Sequence, residues 1–110
     1  MNIDFRGYDE HVATFMCSSE VEAGKLVTMD SNYRVRLAQA GDGVFGYCVG
    51  VRDGYAAIQL SGYVETGKQG DIKVGYRQLA CADSETVVEY SFGLPHKVIY
   101  VGDDTIGFLL

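Results

Sequence analysis

The chain has 110 residues, 47% of them hydrophobic and 22% charged, a balance that excludes a mostly disordered chain and fits one globular domain. Its 15 acidic side chains outnumber 9 Lys and Arg, for a formal net charge of -6 at pH 7, and the densest basic spot is only Arg34 with Arg36. Nucleic-acid binders draw much of their affinity from phosphate neutralisation, so direct nucleic-acid binding is not expected.

Residues 1–10 are polar and mixed in charge, unlike a secretion signal, and read as a short N-terminal arm. Residues 11–110 read as a single β domain, because the hydrophobic period from there on is two. Strands are expected over His11–Cys17, Leu26–Met29, Tyr33–Leu37, Val44–Val51, Tyr55–Leu60 and Tyr63–Glu65. Five more are expected over Asp71–Val74, Gln78–Ala82, Thr86–Tyr90, Lys97–Val101 and Thr105–Leu109. Tyr33 to Leu37 alternates apolar and basic residues, and Lys97 to Val101 is rich in β-branched and aromatic ones. Between Val44 and Val51 the larger side chains Phe45, Tyr47, Val49 and Val51 fall on one face. Val44, Gly46, Cys48 and Gly50, mostly small, fall on the other, as in a strand at a barrel corner or under a second sheet. Ser18–Ala23 and Val35–Ala40 are each long enough for a single helical turn and no more.

Turn signals punctuate these runs. Glu22-Ala23-Gly24-Lys25 reads as a tight turn with the glycine in the left-handed region, and Arg52-Asp53-Gly54-Tyr55 carries the Asp-Gly pair of two-residue hairpins. Asp30-Ser31-Asn32 and Gly102-Asp103-Asp104 separate further strands. The 14 glycines suit many such turns, and a single proline suits long backbone ladders. Many short strands with regular turns predict an all-β fold, a small barrel or sandwich with little or no helix. No internal repeat, low-complexity segment or internal linker is visible, and no apolar run approaches a membrane span.

Chemistry-bearing motifs are few. Gly41-Asp42-Gly43-Val44-Phe45-Gly46 matches G-x-G-x-x-G, but the next residues, Tyr47 to Val51, read as strand where a nucleotide site needs a helix. His11 opens the first strand, and His96 comes after Pro95 in an expected loop; neither sits in a thiol-enzyme signature. Cys17, Cys48 and Cys81 are odd in number and far apart, each within an apolar run, which points to free thiols and a reducing compartment. No His/Cys spacing suits zinc. The acidic pairs Glu20/Glu22, Asp83/Glu85 and Asp103/Asp104 sit at turns without the spacing of a calcium loop. The chain is therefore expected to be no enzyme and to need no metal or cofactor. Its 8 tyrosines suit strands and interaction surfaces alike, and the apolar ending Ile106-Gly107-Phe108-Leu109-Leu110 is expected to pair into a sheet or to sit in a subunit contact. Phe5, Tyr8, Tyr33, Tyr55, Phe108 and Leu110 are the expected contact residues.

Val21-Glu22-Ala23-Gly24-Lys25-Leu26-Val27 resembles the opening strand pair of small capsid decoration (cement) proteins of tailed phages and their prophage relatives. Ala40 to Gly46, the hairpin from Arg52 to Val64, Val74 to Leu79 and Ile106 to Leu110 are similar to later segments of that family, so the resemblance spans roughly Val12 to Leu110. It implies a β-rich structural protein, often a homotrimer, made in the bacterial cytoplasm. It would sit on the outer surface of the assembled virion, clamping subunits of the major capsid protein. Several family members carry a longer N-terminal arm than Met1 to Glu10. The acidic balance suits an outer surface better than a DNA-lined one. A tail, baseplate or head-fibre module is the alternative, and a small ligand-binding β-barrel a more distant one.

Overall fold

The structure is a computed structural model that describes residues 10–110. These residues form ten strands and no helix. The strands are β1 (His11–Cys17), β2 (Leu26–Ser31), β3 (Arg34–Leu37), β4 (Gly46–Arg52), β5 (Tyr55–Ser61), β6 (Tyr63–Gln69), β7 (Gly75–Cys81), β8 (Thr86–Glu89), β9 (Leu94–Val101) and β10 (Thr105–Leu109). They close into two five-stranded barrels, in the orders β1-β3-β2-β4-β5 and β10-β6-β8-β7-β9. Closure removes the unpaired edges that an open sheet would expose. Gly62, at φ 92°, is the single residue between β5 of the first barrel and β6 of the second.

The two barrels are the same structure written twice. In each, the first and third strands of the unit run parallel, β1 beside β3 and β6 beside β8, and every other pairing is antiparallel. The registers coincide in four of the five pairings, and β7 pairs with β9 two residues out of step with the β2–β4 pairing. Val35 is flanked by Met29 and Cys17, and Val87 by Cys81 and Lys68. Ala56 lies between Phe15 and Val51, and Ile106 between Thr66 and Val101. Even the bulge recurs, at Val49 in β4 and at Ile99 in β9. The approach to the second strand recurs as well: Val21-Glu22-Ala23-Gly24 and Ile72-Lys73-Val74-Gly75 each bury the first side chain and turn on a glycine, at φ 90° and 108°. The expectation of a chain without internal repeats is corrected here. What repeats is backbone register, while the residues at matched positions differ in size and polarity.

Each barrel is filled by its own inward side chains. Cys17, Val27, Val35, Cys48, Ala56 and Ile58 fill the first, and Leu79, Cys81, Val87, Val98, Ile106 and Phe108 the second. Burying each large aliphatic or aromatic side chain contributes roughly 1.5–3 kcal/mol, which lets such narrow interiors hold together. Leu26, Ala38 and Val44, which belong to the first unit, join the second core. Barrel-to-barrel packing is sealed by backbone bonds. Leu26 donates to the Ser84 carbonyl at 2.7 Å, Gly41 to that of Cys81 at 2.9 Å, and Cys81 to that of Asp42 at 2.8 Å. The Lys25 ammonium pairs with Glu85 across the same seam.

Several sequence expectations change. Asp71–Val74 is not a strand, because Ile72 is a buried anchor on the way to the Gly75 turn. The segment Val44–Phe45 precedes β4, because Val44 packs on the second barrel. The expected turns around Ser18–Ala23 are non-helical, and Val35–Leu37 is strand. His96 lies within β9 and is buried, where a loop was expected; its neighbour Pro95 pairs with Gln78. The hairpin at Asp53-Gly54 forms as expected, with φ of 54° and 81° at its two residues.

Candidate interaction surface

Of the six expected contact residues, Phe5 and Tyr8 lie outside the described residues. Tyr33 and Tyr55 are brought together at one end of the first barrel. Tyr33 occupies the β2–β3 turn at φ 63°, and its carbonyl accepts from the Met16 amide at 2.8 Å. Tyr55 opens β5 directly opposite Met16, with Arg52 as its neighbour on β4. The two tyrosines are 78% and 53% exposed, and a side chain at positive φ other than glycine is uncommon. Met29 and Val51 add apolar surface here.

Phe108 is a correction. It alternates inward with Ile106 on β10, is wholly buried, and packs edge to face on His96 with ring centroids 5.5 Å apart. A residue with no exposed surface holds the core and makes no contact with a partner. Leu110 is half-buried against the same core, and its amide donates to the Gly62 carbonyl at 2.9 Å. That bond ties the end of the chain to the junction between the barrels.

Other exposed residues lie outside the six expected contacts, Tyr76 and Tyr90 counted only among the tyrosines and Phe92 and Leu94 not singled out by the sequence. Tyr90 and Phe92, in the β8–β9 connection, meet edge to face at 5.8 Å, and Phe92 is 86% exposed. Tyr76 at the start of β7 and Leu94 at the start of β9 are also more than half exposed. An aromatic placed inside a glycine turn, as in Tyr90-Ser91-Phe92-Gly93, was the available signal, since turns seldom need one for packing.

The electrostatics around these surfaces are ordinary. Arg34 faces Asp30 at 3.6 Å and Arg36 faces Asp42 at 3.1 Å, so the densest basic spot is spent on internal ion pairs. Asp83 accepts from the amides of Glu85 and Thr86 and from the Thr86 hydroxyl, and these bonds hold its carboxyl below the usual range. Burial pushes the Cys81 thiol up to about 12 and raises that of Cys48. A raised thiol is a poor nucleophile and a poor metal ligand at neutral pH.

A pocket of about 270 Å³ lies beside Tyr76, His96, Lys97 and Leu110. The His96 Nδ1 is 2.9 Å from the Leu109 carbonyl, so Nδ1–H donates and Nε2 carries the lone pair. That Nε2 is shut away from solvent without a hydrogen-bond partner, and burial holds the imidazole below its usual range. The ring therefore serves as a neutral wedge against Phe108. Among the described residues no group of three or more His, Cys, Asp and Glu is placed to hold a metal ion.

No family model and no curated protein sequence matches this chain.

Proposed function

We propose that this protein is a virion structural protein of the capsid-decoration type, binding the outer surface of an assembled phage head. The observation that carries the reading is the exposure of large aromatic side chains at both barrels, Tyr33 and Tyr55 on one and Tyr76 and Phe92 on the other. Such residues supply contact area at small entropic cost and dominate protein interfaces. The barrel interiors are filled by side chains, so binding falls to the outer faces and the barrel ends. The resemblance of Val21 to Val27 and of the β4–β5 hairpin to decoration proteins names the partner, the major capsid protein. Each contact can be weak, because many copies on a closed shell add their effects through avidity.

The test is co-sedimentation of purified protein with expanded empty shells assembled from the capsid protein encoded in the same gene cluster. Saturable binding at a fixed ratio, weakened by Tyr55→Ala or Phe92→Ala, is expected. Failure to co-sediment with those shells would sink the reading.

A further inference from the structure

The repeated barrel supplies its own template for a contact. Within the chain, the outer face of the first unit closes one end of the second barrel. Leu26 and Ala38, linked by the bond from the Ala38 amide to the Leu26 carbonyl at 3.0 Å, cover the end formed by Cys81, Val87 and Ile106. Lys25, next after Gly24, reaches Glu85, which stands two residues before Val87.

Both halves of this contact have a second version that no described residue occupies. The first barrel's matching end is formed by Met29, Val35 and Ala56, in the same register as Cys81, Val87 and Ile106. Met29 and Val51 point inward there, yet they are 37% and 43% exposed, whereas Cys81 is wholly buried. Nothing among the described residues covers them as the first unit covers the second barrel. The second barrel's matching outer face carries Gln78 and Tyr90, linked by the same bond, from the Tyr90 amide to the Gln78 carbonyl at 3.0 Å. Arg77, just before Gln78, takes the place of Lys25, and Tyr33, two residues before Val35, takes that of Glu85; Tyr76 lies beside Arg77 on the face of Gln78. Where the chain joins its own barrels with an ion pair, the open positions hold Arg77 and the exposed Tyr33, with the exposed Tyr76 beside Arg77.

We infer that the outer face of the second barrel, at Tyr76, Tyr90 and Phe92, docks on the open end of the first barrel, at Met29, Val51 and Tyr33, of another copy of this chain. The contact is head-to-tail, so it generates a ring where the rotation closes and a filament where it does not. Gln78 stands where Leu26 stands in the internal contact, so this face is more polar and the association reversible. The charge of -6 on each copy opposes approach, so added salt strengthens association.

The inference is independent of the capsid reading, and its test uses no shells. Wild-type protein is followed by light scattering and sedimentation up to about 1 mM. Two exposed substitutions divide the contact: Tyr33→Asp spoils the open end, and Tyr76→Asp spoils the outer face. Each is expected to raise the dissociation constant at least about tenfold while leaving circular dichroism and thermal unfolding unchanged. Mixing the two restores one intact contact and yields a pair of one copy each that grows no further. Should Tyr76→Asp disturb the fold, Phe92→Asp replaces it. A wild-type chain that stays monomeric throughout overturns the inference and leaves both faces to a different protein. So does a mixture that fails to pair, or association that only one of the two substitutions weakens, as in a symmetric contact.

Discussion

Phe108→Ala separates a core residue from a contact residue. Phe108 is wholly buried on β10, opposite Val64 on β6 and Val98 on β9, with the His96 ring against its edge. Its truncation removes the ring from a barrel too narrow to collapse around the gap, at a cost of about 3–5 kcal/mol. A domain of this size has a total stability of roughly 5–15 kcal/mol, so the loss is a large share of it. With a urea dependence of about 2 kcal/mol per molar, the midpoint moves down by ~2 M. Phe92→Ala is the matched control: the same side chain is 86% exposed in the β8–β9 connection, and its loss changes stability by no more than about 0.5 kcal/mol. Urea unfolding of the wild type and both variants, followed by far-ultraviolet circular dichroism, measures the contrast. A Phe108→Ala loss under about 1 kcal/mol, or one no larger than that of Phe92→Ala, would refute the placement of β10 in the second barrel.

Three further outcomes rest on the electrostatics and the buried thiols. His96 is buried neutral, its folded value lies below the ordinary 6.5, and the unfolded chain therefore takes up the proton first. Its effect on stability is absent above the ordinary 6.5 and grows as pH falls below it toward the lowered folded value, so the urea midpoint drops on that side; His96→Gln flattens this part of the profile. Cys17, Cys48 and Cys81 are all buried, and burial raises the thiols of Cys48 and Cys81, so an aromatic disulfide reagent at mildly alkaline pH is expected to release little colour from folded protein. After denaturation it is expected to titrate all 3 thiols, and rapid labelling of the folded chain would contradict this burial. Asp83→Ala removes three hydrogen bonds from the β7–β8 turn and is expected to cost about 1–2 kcal/mol at neutral pH, measured by urea unfolding. The folded carboxyl sits below 3.8, so this contribution is complete above that value and disappears as pH falls through the lowered one.

Strands were legible in the sequence because local chemistry decided them. Period-two alternation marked β1 and β10 to their ends, and the Asp-Gly pair marked the β4–β5 hairpin. The repeat was hidden because backbone register leaves no residue identity behind: Met29 and Cys81 occupy one position, and Phe15 and Thr66 another. Val44 opens the alternating run to Val51 in the sequence, whereas docking on the second barrel fixes its place, a long-range contact no local pattern encodes. Phe108 and Leu110 were read together as a contact surface because an apolar chain end suits an interface and a core equally well. Closure of the second barrel assigns Phe108 to the core. Of the open surface, Tyr33 and Tyr55 are singled out by the sequence and Tyr76 and Tyr90 stand out only as members of the tyrosine series, while Phe92 emerges only where the fold brings β7 and the β8–β9 connection together.

The most direct measurement of the proposed role is a cryo-electron microscopic reconstruction of heads from the phage or induced prophage that carries this gene. The account predicts density for the two-barrel molecule at regular positions on the outer surface of the capsid lattice, with at least one of the tyrosine-bearing barrel ends turned toward a neighbour. Heads purified with the chain absent, or the two barrels found instead within the tail, would contradict it.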